Sequence, residues 1–283
     1  MMVIYMSNKK QVVKKRRRVK LWVWVVIATI LLSTVFISIG KIILWQLDNN
    51  KSKDIKDEVD TIAEVDEIED NENTELINEP TDQNSDYWYY ISFPLINVDF
   101  SELKKKNSDT VAWINVNNTN INYPIVQTSD NDFYLDHSYD KSYNEAGWVF
   151  LDYRNDSSFS DKNTIIYAHS RLDKTMFGSL SKTLKPEWYE NKDNHIIRIS
   201  NEKENSLWQI FSVYVIETES YYITTNFNSD EEYLTFLETM KSRSRYDFDT
   251  NLSASDRIIT LSTCYDDDRK TVVHAKLIKR ELK

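Results

Sequence analysis

The chain has 283 residues, a formal net charge of −10 and a pI near 5.0. That balance argues against nucleic acid as the main partner. A single cysteine excludes an intramolecular disulfide, and three glycines and four prolines leave most bends to Asn, Asp and Ser.

Positive charge crowds the first twenty residues: Lys9, Lys10, Lys14, Lys15, Arg16, Arg17, Arg18 and Lys20. Leu21 to Gly40 is then uncharged and mostly apolar, and after Lys41 the apolar run resumes to Trp45. A helix of about 20 residues rises about 30 Å, the thickness of a bilayer's hydrocarbon core. The run is too long for a signal-peptide core and is followed by no small-x-small cleavage signal. Residues 21–47 are therefore expected to be an uncleaved single-pass anchor in the cell membrane. The basic flank, 1–20, keeps the N-terminus cytoplasmic and the rest of the chain outside the cell.

Residues 48–86 hold fifteen Asp or Glu against three Lys, with no aromatic residue. Such composition predicts an extended acidic tether carrying short helical patches around Val59, Ile62 and Val65. Residues 87–283 become globular in composition and suffice for one core. Asp99 to Leu103 opens like a capped short helix. Strands are expected at 111–116 and 121–126, a helical turn at 130–136, and strands at 148–151 and 164–167. A helical stretch over 177–189 restarts at Pro186. Strands follow at 195–199 and 207–216. Asp230 to Met240 is an amphipathic helix with Tyr233, Leu234, Leu237 and Met240 on one stripe. Two last strands span 257–264 and 271–278. The expected fold is mainly β with short helices, a closed or partly closed barrel.

The lone cysteine, Cys264, ends a strand whose alternation groups it with Thr260 and Ser262. An unpaired thiol outside the cell is exposed to oxidation, so a reactive role is favoured over a packed structural thiol. The thiol needs a basic or cationic neighbour to become a nucleophile. Of four histidines, His169 closes an apolar strand, His274 lies within the last strand, and His137 and His195 stand in polar, surface-like contexts. His169 is the best partner. If Tyr265 to Asp268 close a hairpin, Arg269 faces Cys264 and can hold a developing oxyanion; the alternative is that Arg269 only neutralises the three aspartates. Ser262 and Thr263 adjoin the nucleophile as candidate substrate contacts.

These residues resemble a class B sortase. The likeness is carried by Thr260-Leu261-Ser262-Thr263-Cys264 and by Tyr167-Ala168-His169-Ser170. It is also carried, in order, by Trp113-Ile114, Tyr123-Pro124-Ile125-Val126-Gln127, Asp130-Asn131-Asp132-Phe133-Tyr134-Leu135, Phe150-Leu151-Asp152-Tyr153-Arg154-Asn155 and Val272-Val273-His274-Ala275-Lys276-Leu277. The resemblance spans roughly residues 99–279. It implies the sortase β-barrel with class B helices at the N-terminus and before the late strands. It implies a cysteine transpeptidase that cleaves a sorting signal after its threonine through a thioacyl-enzyme, with no cofactor and no metal. The acyl group then passes to a peptidoglycan precursor or cross-bridge amine. Cys264 matches the family nucleophile and His169 the family histidine. One departure stands out: alignment on Val272 to Lys276 puts Lys270 at the family arginine and Arg269 one place early. Arg269 remains the expected oxyanion holder because its planar fork suits that role. A hydrolytic surface cysteine protease and a catalytically silent adhesion domain are the alternative functions.

Overall fold

The computed structural model describes residues 20–264 and 269–283, Cys264 through its backbone alone. The basic stretch before Lys20 and the connection 265–268 lie outside the described residues. The chain divides into two units, Met1–Leu47 and Asp48–Lys283. Helix α1 (Leu21–Ile62) runs through the boundary. In the first unit the apolar side chains of α1 are exposed, Trp22 and Phe36 among them.

The second unit opens with the remainder of α1. Strands β1 (Glu64–Ile68) and β2 (Thr74–Leu76), helix α2 (Tyr87–Tyr90), strand β3 (Leu95–Asp99) and helix α3 (Ser101–Lys106) follow. Strands β4 (Thr110–Val116), β5 (Asn122–Val126), β6 (Phe150–Leu151) and β7 (Asn163–Tyr167) come next. A 3₁₀ stretch, Gly178–Leu184, leads into α4 (Pro186–Tyr189), where Pro186 takes the first turn because its missing N–H needs no partner there. Strands β8 (Ile196–Asn201) and β9 (Glu204–Glu217), helix α5 (Asp230–Ser242), and strands β10 (Ile258–Cys264) and β11 (Arg269–Leu282) complete the unit.

Eight strands close into a barrel in the order β10-β7-β6-β5-β4-β8-β9-β11, and the pairing of β10 with β11 seals the ring. The barrel agrees with the mainly β expectation. Alternation divides β10 between two apolar environments. Ile259 and Leu261 of β10 enter the main core with Trp113, Ile166, Trp208 and Val273. Ile258 turns to a second cluster beneath α5, built from Tyr233, Phe236, Leu237 and Met240. Phe236, rather than Leu234, completes that helix stripe. Ser229 caps α5 by accepting the N–H of Glu232 at 3.2 Å.

The acidic segment departs from the expected tether. Ile55 and Val59, one helical turn apart, are buried in the main core. Strand β1 pairs with β3, and β2 adds to the edge of β11. The segment's carboxylates also meet cations of the barrel. Glu67 pairs with Arg198 at 3.4 Å, Asp70 with Lys279 at 2.7 Å and Glu75 with Arg280 at 2.8 Å. Self-repulsion, the basis of the tether expectation, is thereby offset by opposite charge that lies far away in sequence.

Candidate active site

Two neighbouring parallel strands organise the site. Register pairs Tyr167 of β7 with Ser262 of β10, and the Ala168 N–H reaches the Ser262 carbonyl at 3.5 Å. His169 and Cys264 each lie two residues beyond that pair, at the carboxyl ends of strands that neighbour at about 4.8 Å. Between the strand ends and the β9–α5 connection opens a cleft of about 600 Å³, walled by Leu135, Tyr167, His169, Tyr222, Ile223 and Thr263 among others. Its lining is largely apolar.

His169 is half-buried, and its Nε2 lies 2.7 Å from the Leu135 carbonyl oxygen. A carbonyl only accepts, so Nε2 carries a proton and donates it to this bond. Gly147 makes room for this arrangement. Its φ is +59°, and a Cβ there would stand 2.7 Å from the Leu135 oxygen and 3.1 Å from His169 Cδ2.

Ser262 and Thr263 both line the cleft. The Ser262 hydroxyl is already engaged with the Tyr222 hydroxyl at 3.0 Å. Thr263 Oγ1 is buried without a hydrogen-bond partner among the described residues. Register corrects the expected opposition of Cys264 and Arg269: Cys264 pairs with Lys270, and Thr263 with Thr271. Five residues, not the expected four, separate Cys264 from its register partner, so the alternation shifts by one. Lys270 lines the cleft, whereas Arg269 is exposed and pairs with Glu217 of β9.

The other histidines stand apart from the cleft. His195, expected near the surface, is buried against Tyr189 and Phe248. Its Nε2 donates to the Tyr189 carbonyl at 2.8 Å, and Nδ1 therefore accepts the Tyr90 hydroxyl at 2.7 Å. Burial pushes its pKa down to about 4. His274 is fully buried between Thr260 and Tyr214, and burial together with Arg243 pushes it down to about 3. His137 stacks on Phe133 with ring centroids 4.1 Å apart.

Sequence reasoning missed the far wall of the cleft, because Tyr222 and Ile223 lie in a short 3₁₀ turn with no motif. It also missed Asp152, wholly buried, which accepts a two-pronged contact from Arg154 at 2.8 and 2.7 Å and the Tyr167 hydroxyl at 3.0 Å. Burial alone would raise the Asp152 carboxyl; the Arg154 fork and N–H outweigh it and hold the group below the usual carboxylate range. Among the described residues, no cluster of His, Cys, Asp and Glu is arranged to hold a metal ion.

Comparison with known proteins bears on this geometry. The profile of the Sortase domain family matches residues 114–278. Sortase B of Listeria monocytogenes is 39% identical over 188 residues, covering 63% of this chain and 74% of that protein. A crystal structure of a Bacillus anthracis protein described as similar to sortase B superposes with a TM-score of 0.60 at 44% identity, over 64% of this chain and 83% of that one. A Staphylococcus aureus sortase B–substrate complex superposes with a TM-score of 0.60 at 38% identity, over 64% and 84% of the two chains.

Proposed function

The chain belongs to the sortase family of cysteine transpeptidases, in its class B, and from that premise we propose a membrane-anchored enzyme that joins secreted proteins to a cell-wall amine. The observation that carries the reading is the parallel pairing of β7 with β10, which brings His169 and Cys264 to the same end of the barrel beside one cleft.

In this reading the Cys264 thiol gives its proton to His169 Nδ1, and the resulting thiolate attacks the threonine carbonyl of a sorting peptide of the Asn-Pro-x-Thr type. A C–S bond forms, and the carbonyl electron pair moves onto oxygen. The tetrahedral species collapses with loss of the downstream amide nitrogen, which takes a proton from His169. Because Nε2 is held by the Leu135 carbonyl, Nδ1 is the nitrogen that gives and later recovers that proton. An amine of a peptidoglycan precursor or cross-bridge attacks the thioacyl carbonyl and His169 accepts its proton; a C–N bond forms and the C–S bond breaks, returning the Cys264 thiolate. The two cations divide the charge. Lys270, opposite Cys264 in register, favours the thiolate. Arg269, the first residue of β11, is assigned to the oxyanion because a planar fork suits that charge. Thr263 Oγ1, buried at the cleft without a partner among the described residues, supports a substrate contact there. Ser262 contributes to the same wall.

A peptide occupant is supported by the S. aureus relative solved as a substrate complex. Membrane anchoring is supported by the exposed apolar length of α1 up to Leu47 and by the basic residues before it. The test is product analysis. The detergent-solubilised full chain is incubated with a panel of sorting peptides, with and without triglycine, and the products are weighed. Transfer of the acyl peptide to triglycine is expected. Hydrolysis unaffected by triglycine would point to a surface protease, and the absence of any reaction to an adhesion domain.

A further inference from the structure

The β9–α5 connection carries a 3₁₀ turn at Tyr221–Ile223, and Tyr222 and Ile223 form one wall of the cleft. Its backbone is held by side chains from the turn after β6 and from β7. Arg154 Nη2 donates to the Ile223 carbonyl at 3.1 Å while its fork grips Asp152. Asn163 Nδ2 donates to the Tyr222 carbonyl at 3.3 Å and the Thr224 carbonyl at 2.9 Å. Three successive carbonyls of the wall are thus fixed by two side chains.

Both anchors are themselves oriented. Asp152 is wholly buried and also takes the hydroxyl of Tyr167, two residues before His169 on the opposite wall. Asn163 is wholly buried, and its Oδ1 accepts the Thr260 hydroxyl at 2.6 Å. Thr260 in turn accepts from His274 Nδ1 at 2.9 Å. That leaves the Asn163 amide no choice but to point its N–H groups at the connection.

We propose that Arg154 is a positioning residue for substrate specificity: through the Asp152 fork it couples the Tyr167 wall to the Ile223 wall and so sets the width of the peptide cleft. The inference rests on the peptide-cleft reading given above. Arg154 touches no reacting atom, so its loss alters peptide capture and leaves the thiol's own reactivity unchanged. A lysine cannot replace it, because one ammonium does not grip both carboxylate oxygens and a carbonyl in one plane.

The test compares wild type, Arg154→Ala and Arg154→Lys as detergent-solubilised full chains. Arg154 is partly exposed, so both variants are expected to fold, which thermal unfolding checks. Kinetics are measured with an Asn-Pro-x-Thr peptide and triglycine. For Arg154→Ala, KM for the peptide is expected to rise roughly tenfold, with kcat changed less than about threefold. Alkylation of Cys264 by iodoacetamide is expected at the wild-type rate, and Arg154→Lys recovers only part of the lost KM. Hydrogen exchange over residues 218–224 is expected to speed up in Arg154→Ala. Unchanged KM and unchanged exchange overturn the inference, as does a fall in kcat and alkylation at constant KM. If wild type turns over none of the peptides, the proposed function fails, and the exchange measurement alone decides the role of Arg154: unchanged exchange overturns it.

Discussion

A side chain at position 147 would collide with two backbone oxygens and with the His169 ring. Gly147→Ala is therefore expected to displace the Leu135 carbonyl that fixes the His169 tautomer. Steady-state kinetics should show kcat/KM reduced by about tenfold or more. The positive φ adds a loss of about 1 kcal/mol in stability, read by urea unfolding. Wild-type kinetics in that variant would contradict the orienting role of Leu135. The two cations give separable predictions at the same scale. Arg269→Lys should lower kcat about a hundredfold while thiol alkylation is unchanged. Lys270→Ala should move the pH profile of thiol alkylation to higher pH. If Arg269→Lys is silent and Lys270→Ala alone lowers kcat, the oxyanion role belongs to Lys270.

At the scale of elements, the strands were legible because alternation and apolar runs report burial locally. The expected bounds of β4, β7, β9 and β10 fall within a few residues of those found. The acidic segment was not legible. Its docking depends on two apolar residues, Ile55 and Val59, and on cations such as Arg198 and Lys279 that are distant in sequence. Ile55→Ala should cost about 2–4 kcal/mol by urea unfolding. A loss near zero would return the segment to the role of a tether. The site was legible in part. Cys264 and His169 end strands that composition reveals, and the motifs carry both. The partner of Cys264 across β11 was not legible, because it depends on the length of a turn that alternation cannot count. The burial of His195 was likewise hidden, since Tyr90, Tyr189 and Phe248 converge on it from three separate stretches.

The molecule as a whole carries two buried neutral histidines, and their pKa values predict its acid stability. His195 and His274 are lowered to about 4 and about 3 when folded. Below pH 6.5 the unfolded chain takes up protons that the folded chain refuses. Stability is thus full above pH 6.5 and falls with decreasing pH, by up to about 1.4 kcal/mol per pH unit for each histidine. For His195 the loss levels off near pH 4, and for His274 near pH 3. His195→Phe should flatten part of that slope in urea unfolding measured from pH 7 to 4; an unaltered slope would contradict a neutral buried imidazole. In the proposed mechanism Cys264 carries the acyl group. Intact-protein mass spectrometry during turnover of an Asn-Pro-x-Thr peptide tests it most directly. The wild-type chain should gain the mass of the acyl fragment and lose it on adding triglycine, while Cys264→Ala gains nothing and cleaves nothing; undiminished cleavage by Cys264→Ala would contradict the account.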